Sequence, residues 1–440
     1  MTTTVTTSSQ TATTVVVSES GGQGLPGADG SDGSGFNQVR KSKLDNPLCH
    51  LFKTNKLVEA SAPTGTDSDV TWTRSTTGTY IDRYGVLQAA SIDEPREEKE
   101  GFLIEGASTN ITLQSEDFST TWTQSLATIS SNSTVAPDGA VTADKLIPNN
   151  GVSNGSFRQV ITTTGGEAVY CSVFAKADAF TNISFFIDTG SIFASISVDL
   201  SDGSFSTSSA ASNGRVDSLA DGWLRCSFSA DIDVGHTAPL VILECTDAGN
   251  ATDGVWFWGA QVETNFRSSY IKTTASSVTR ATDIVNYTAT NNMGLLSGNN
   301  TIVADVGATS GTTLANSRII NVKASGSTTD NQRAIALQGS NQLNLITFSG
   351  EVQSGATFTA DALGVVVSVA NFDTDTLDAY SEGSLSGSIS MAASVFASVI
   401  PETISFIANS SGVTQDISTH IKDFRVYDFA LNADEVEYLS

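Results

Sequence analysis

Histidine and cysteine are scarce in this chain, three and four respectively in 440 residues. His50, His236 and His420 stand far apart and make no motif. HExxH, GxSxG and P-loop patterns are all missing, which removes the common local signatures of zinc hydrolysis, acyl transfer and nucleotide use. Cys49, Cys171, Cys226 and Cys245 are too few and too scattered for a disulfide framework, and none forms a CxxC pair, so buried free thiols are expected. Positive charge is also short. Twenty-two Lys and Arg face 47 Asp and Glu, a net charge of −25 that leaves no basic stripe for nucleic acid. No stretch is long and apolar enough to span a bilayer, and the first residues lack the basic and apolar regions of a signal peptide, so neither membrane insertion nor general secretion is expected.

What fills the chain instead is Thr, Ser, Gly, Ala, Val and Asn, with charged residues at only 16% against about a quarter in ordinary soluble domains. Val, Ile, Thr and aromatics suit a pleated, half-buried surface, and Gly, Asn, Asp and Ser punctuate short strands. The expectation is an all-β protein whose length exceeds what one hydrophobic core organises. Residues 1–20 are almost entirely Thr, Ser and Val and read as an attachment arm. Gly21, Gly24, Gly27, Gly30 and Gly33 then recur at every third position with Pro26 among them. This is the collagen period, so residues 21–45 read as a short trimerising stalk or as a flexible linker. Residues 46–108 form a β-rich collar, with the charge run Glu94, Arg96, Glu97, Glu98, Lys99 and Glu100 read as a solvated turn. Two β-sandwiches follow at 109–288 and 289–440, each with seven apolar strand candidates separated by turns. Asn432 can cap a short terminal helix carrying Val436 and Leu439.

Three stretches carry a family resemblance. The segment from Thr71 to Thr123 resembles the lead-in of bacteriophage fibre proteins, placing Arg74, Tyr80, Asp82, Gly85, Pro95, Arg96, Glu105, Asn110, Ser115, Glu116, Asp117, Phe118 and Trp122 at pattern positions that are structural in that family. The runs APDGAVTADKL, CSVFAKA, DGWLRCSFS and WFWGAQVE followed by SSYIKTT resemble the carbohydrate-binding-like jelly roll of such fibres, with Val262 and Lys272 replacing the usual leucine and proline. From about residue 300 the chain is similar to laminin-G or concanavalin-A-like lectin domains, with Ser381, Glu382 and Gly383 at a hairpin tip and IKDFRVYDFALNADEVEYL at the close.

The resemblance implies a non-enzymatic, homotrimeric fibre subunit on the virion surface, assembled in the host cytoplasm. Its N-terminus would be fixed to a capsid or tail protein, and its sandwiches would touch host cell-surface glycans. A capsid decoration protein without a receptor role and a polysaccharide depolymerase are the alternatives. For sugar stacking the candidates are Trp223, Trp256, Trp258 and Tyr270, against packing inside the sandwich, since Trp256 and Trp258 share one side of a strand. No cofactor is required. Calcium is the one ion the acidic turns suggest, at Asp373, Asp375 and Asp378, although the EF-hand glycine and terminal glutamate are missing.

Overall fold

Alternation of apolar and polar residues sets most of the strands, as in Leu240–Cys245, where Val241, Leu243 and Cys245 are buried and their neighbours half-open. The computed structural model describes residues 44–45, 47, 49–52, 58–60, 70–264, 266–288, 299–307, 317–324, 332–337, 342–349, 352–359, 364–371, 373–374, 376–390, 401–408 and 418–440. The attachment arm, the glycine repeat with Gly21, Gly24, Gly27, Gly30 and Gly33, and Asp375 lie outside the described residues. Nearly all regular secondary structure among the described residues is strand, arranged as two sandwiches, the all-β class that the composition implied.

The first sandwich is a jelly roll of two six-stranded sheets. One runs Ala127–Thr134, Ala143–Pro148, Val255–Thr264, Ala168–Ala177, Leu224–Asp231, Ser212–Ser218; the other runs Phe205–Thr207, Phe193–Asp199, Asn182–Asp188, Leu240–Cys245, Gly155–Val160, Thr123–Ser125. Phe118, Phe157, Phe185, Phe228 and Phe257 fill the space between them. Cys171, Cys226 and Cys245 are buried free thiols, and burial pushes the latter two up to about 12, so they stay protonated at neutral pH.

The second sandwich is assembled from both ends of the chain. The central strand Ser418–Tyr427 pairs along one edge with Gly101–Glu105 and Cys49–Leu51, and along the other with Asn300–Val306. In the facing sheet Ile284–Thr288 lies between Val70–Thr73 and Pro401–Ala408. Its core accordingly mixes Leu51, Trp72, Phe102 and Ile104 with Ile302, Val322, Phe406 and Phe424. The stretch 46–108 is therefore divided between this sandwich and a separate hairpin, and residues 284–288, expected in the first sandwich, belong to the second. The jelly roll is an insertion. Its entry strand Ser108–Asn110 pairs with its exit strand Val278–Arg280, which brings the two connections side by side.

At the far end, Asn432 accepts from the Glu435 amide while the Glu435 side chain accepts from the Asn432 amide, a capping box opening the helix Ala433–Leu439. Leu431 and Val436 pack with Val367, Val369 and Tyr380 on the outer face of the large sheet. The hairpin tip at Glu382 and Gly383 has both residues at positive φ, 48° and 75°, the primed turn that matches strand twist.

Candidate functional site

Where the inserted jelly roll meets the second sandwich, charge is buried. Asp283 accepts from Arg74 Nη1 at 2.9 Å, from Trp72 Nε1 at 3.1 Å, from the Glu105 amide at 2.9 Å and from Arg96 Nη2. Glu105 accepts from Arg96 Nη1 at 2.6 Å, from the Ser269 amide and hydroxyl at 2.7 Å and from Ser418 Oγ at 3.1 Å. Arg280 lies 3.5 Å from Glu105 and donates to the Gly106 carbonyl at 2.6 Å. Burial alone would raise the Glu105 carboxyl, but Arg280 and Arg96, helped by Ser269, hold it far below the usual carboxylate range. Arg74, Arg96 and Glu105 match the structural pattern positions expected from sequence, and here they tie the collar, the jelly roll and the closing strand into one polar knot. Arg96, expected with its charge run to be a solvated turn, is instead fully buried because Glu105 and Asp283 neutralise it.

A hairpin projects beside the knot. Gly78–Ile81 pairs with Leu87–Ala90, and at its tip Asp82 accepts from the Tyr84 and Val86 amides at 2.8 and 3.0 Å and from Gln88 Nε2 at 2.9 Å. Gly85, at φ 80°, lets the tip approach the jelly roll: its carbonyl accepts from the Ala220 amide at 2.9 Å, and a Cβ there would stand 3.0 Å from that nitrogen. Leu87 and Ile81 pack on the outer face of the first sheet against Trp223, Trp258, Phe174 and Tyr270.

Three of the four aromatics expected to meet sugars are thereby enclosed. Trp223, Trp258 and Tyr270 are 1%, 1% and 3% exposed, and all three spend their polar atoms inside: Trp223 donates to the Val135 carbonyl, Trp258 to Thr142, and Tyr270 to Glu116. No ring face remains for a pyranose, because the hairpin covers the side of the sheet away from the sandwich core. Trp256 is half-buried, with Lys145 and Lys176 5.8 and 5.9 Å from its ring centre. The two indoles Trp256 and Trp258 do share a strand face, while Phe257 points into the jelly-roll core. Of the calcium candidates, Asp373 accepts from Asn299 Nδ2 at 2.7 Å and Asp378 sits in mid-strand opposite Val369 and Ser388. Among the described residues neither joins a converging set of ligand side chains.

The concave feature at the junction is a cleft of about 680 Å³, bounded by the hairpin tip, the turn Glu98–Glu100, the jelly-roll strand end 215–220 and the closing strand at His420 and Lys422. On its rim Tyr84 is 79% exposed. Asp217 takes Arg215 Nε at 2.6 Å on one oxygen and Arg267 on the other. Burial would raise Asp217, yet Arg267 and then Arg215 keep it below its ordinary value, so it stays ionised. Arg225, deeper, donates to Ser172 and Ser268 and lies 5.5 Å from the Phe174 ring; burial, with Arg267 adding to it, lowers its guanidinium to about 9. The walls thus present oriented acceptors and donors of both signs around an open aromatic ring, at the kind of inter-module position where small-ligand sites form.

Tyr84, Arg215, Asp217 and Arg267 were not singled out in the sequence. They come from three distant stretches, and only the insertion brings them together; the turn signature Asp82 to Gly85 was the one local hint.

No known family model matches the chain, and no curated protein sequence matches it. Among solved structures, the chain is similar over 32% of its length to 82% of the Ruminococcus gnavus IT-sialidase CBM40 bound to α2,3-sialyllactose, with 14% identity and a TM-score of 0.27. It is similar over 36% of its length to 39% of the binding domain of botulinum neurotoxin DC in complex with SialylT, at 14% identity and TM-score 0.27. A third, the NanB sialidase from Streptococcus pneumoniae, gives 11% identity over 35% of this chain and 26% of that one, with a TM-score of 0.28. Scores of this size assign neither a family nor a ligand to this chain.

Proposed function

We propose that this chain is a non-enzymatic, glycan-binding fibre subunit of a bacteriophage particle, and that the junction cleft is where it holds sugar. One observation carries the binding reading: the exposed Tyr84 ring stands over a 680 Å³ cleft in which Asp217 is fixed between Arg215 and Arg267. An open aromatic face can stack on a pyranose, and a locked carboxylate and guanidinium set can fix hydroxyls without paying rotamer entropy on binding. The fibre reading is supported by the bacteriophage resemblance of residues 71–123 and by the glycine period at 21–33. Three weak sites on one trimeric fibre would engage a glycan-coated surface with avidity well above that of each.

The test is a glycan array probed with the full chain and with its Tyr84→Ala and Asp217→Ala variants, alongside mass photometry of the same samples. A trimer that retains glycans, and loses them in both variants, is expected. A chain that retains no glycan, or a Tyr84→Ala variant that binds as well as the parent, would overturn the cleft assignment; a monomer would overturn the trimeric fibre.

A further inference from the structure

We propose that Glu98, Glu100 and His420 form a binding site for a first-row divalent transition ion of the zinc class on the wall of the cleft. The ligand atoms of these three side chains all lie within 4.8 Å of one another. Glu98 and His420 arrive from opposite ends of the sequence and are fixed by strand register, and Glu100 sits in the tight turn that follows Glu98. Glu98 pairs with Gly101, so Lys99 and Glu100 form a two-residue turn between them, and His420 pairs with Leu103 on the next strand. Gly101, at φ 120°, lets that turn press on the closing strand: a Cβ there would stand 2.7 Å from the Ile421 carbonyl oxygen.

The carboxylate of Glu98 is oriented as a ligand would be. One oxygen accepts from the Ile81 amide at 2.8 Å, which aims the other at His420 Nε2, also 2.8 Å away. The charge around the trio is unbalanced as well. Among the described residues, no Lys or Arg forms an ion pair with Glu98 or Glu100; Arg83 goes to Glu97, and Lys422 goes to Asp305. Two carboxylates therefore stand beside a single imidazole, of which only Glu98 hydrogen-bonds it, a setting with room for a cation.

The donor set selects the ion. Calcium takes six to eight oxygens, and this site offers three donors, one of them nitrogen. A neutral imidazole with two carboxylates suits zinc and its first-row neighbours, with a fourth position left to water or to a ligand from the cleft. The site stands independently of sugar binding, because its test uses the metal alone.

The experiment is isothermal titration of the metal-stripped full chain with ZnCl₂, with CaCl₂ in parallel, for the parent and for the His420→Gln and Glu100→Gln variants. Glu100 is exposed, so its substitution leaves the fold intact. One zinc per chain is expected, with no calcium heat, and each variant is expected to weaken zinc by about tenfold or more. Absence of zinc uptake would overturn the proposal. So would uptake with unchanged stoichiometry and affinity in both variants, which would place the ion elsewhere, for example at His50 and Asp423 or His236 and Asp188.

Discussion

The two sandwiches bury similar kinds of residue but are built in opposite ways. The jelly roll is continuous in sequence between its paired entry and exit strands, and apolar side chains fill the space between its sheets, while Asp144, Arg225, Gln261 and Glu263 are buried on its strands with hydrogen-bond partners. The second sandwich takes strands from 49–105 and from 284–427, and at the seam where these halves meet it buries Arg74, Arg96, Arg280, Glu105 and Asp283. Continuity lets the two facing sheets of the jelly roll close mainly on hydrophobic burial. A split sandwich must fix the position of a large insert, and directional, charge-assisted hydrogen bonds do that where apolar packing would tolerate slippage.

That contrast can be broken most sharply at the seam. Asp283→Ala leaves Arg74, Arg96, Trp72 and the Glu105 amide without their shared acceptor and is expected to cost about 3–5 kcal/mol in denaturant unfolding. The loss should appear in the second sandwich before the jelly roll. Leu87→Ala, which removes the 6%-exposed side chain seating the hairpin on the jelly roll, is expected to cost about 2 kcal/mol, at the low end for a buried leucine because the hairpin can settle.

Acid titration sharpens the comparison. The folded Glu105 carboxyl lies below its unfolded value, so its contribution is fully present above the ordinary carboxylate range and is lost as pH falls below about 4 toward the depressed folded value. Glu263 acts in the other direction: burial raises it, against the hydrogen bonds from Ser268 and Ser108, so protonating it on the way down stabilises the fold. Stability measured by urea unfolding should therefore fall below about pH 4 in the parent and fall less steeply in Glu105→Gln. Smaller still is Asn432→Ala, which removes the terminal helix cap at a cost of about 1 kcal/mol. Tyr84→Ala should change stability by less than about 0.5 kcal/mol while abolishing sugar binding, which separates the cleft from the scaffold.

The seven strands read from sequence in the jelly roll coincide with observed strands to within a few residues, because apolar alternation writes them plainly. Those that escaped, such as Ala127–Thr134 and Ser212–Ser218, are Ser- and Asn-rich sheet edges with mostly open side chains and no apolar face to reveal them. The split of the second sandwich was illegible for a different reason: Val70–Thr73 and Ile284–Thr288 look like strands of any sheet, and nothing local names their partner. The cleft suffered the same fate. Glu98 and Glu100 read as a solvated turn and His420 as an isolated histidine until strand register set them together. Tryptophan drew attention as a sugar platform by its chemistry, but three of the four aromatics proposed were needed to seat the hairpin.

The measurement that tests the account most directly is hydrogen–deuterium exchange of the full chain with and without a glycan retained on the array. Protection gained at 81–85, 98–100, 215–220 and 418–422, the segments lining the cleft, is the predicted result. Protection gained instead around Trp256, on strands Ala127–Thr134 and Val255–Thr264, with the cleft segments unchanged, would contradict it.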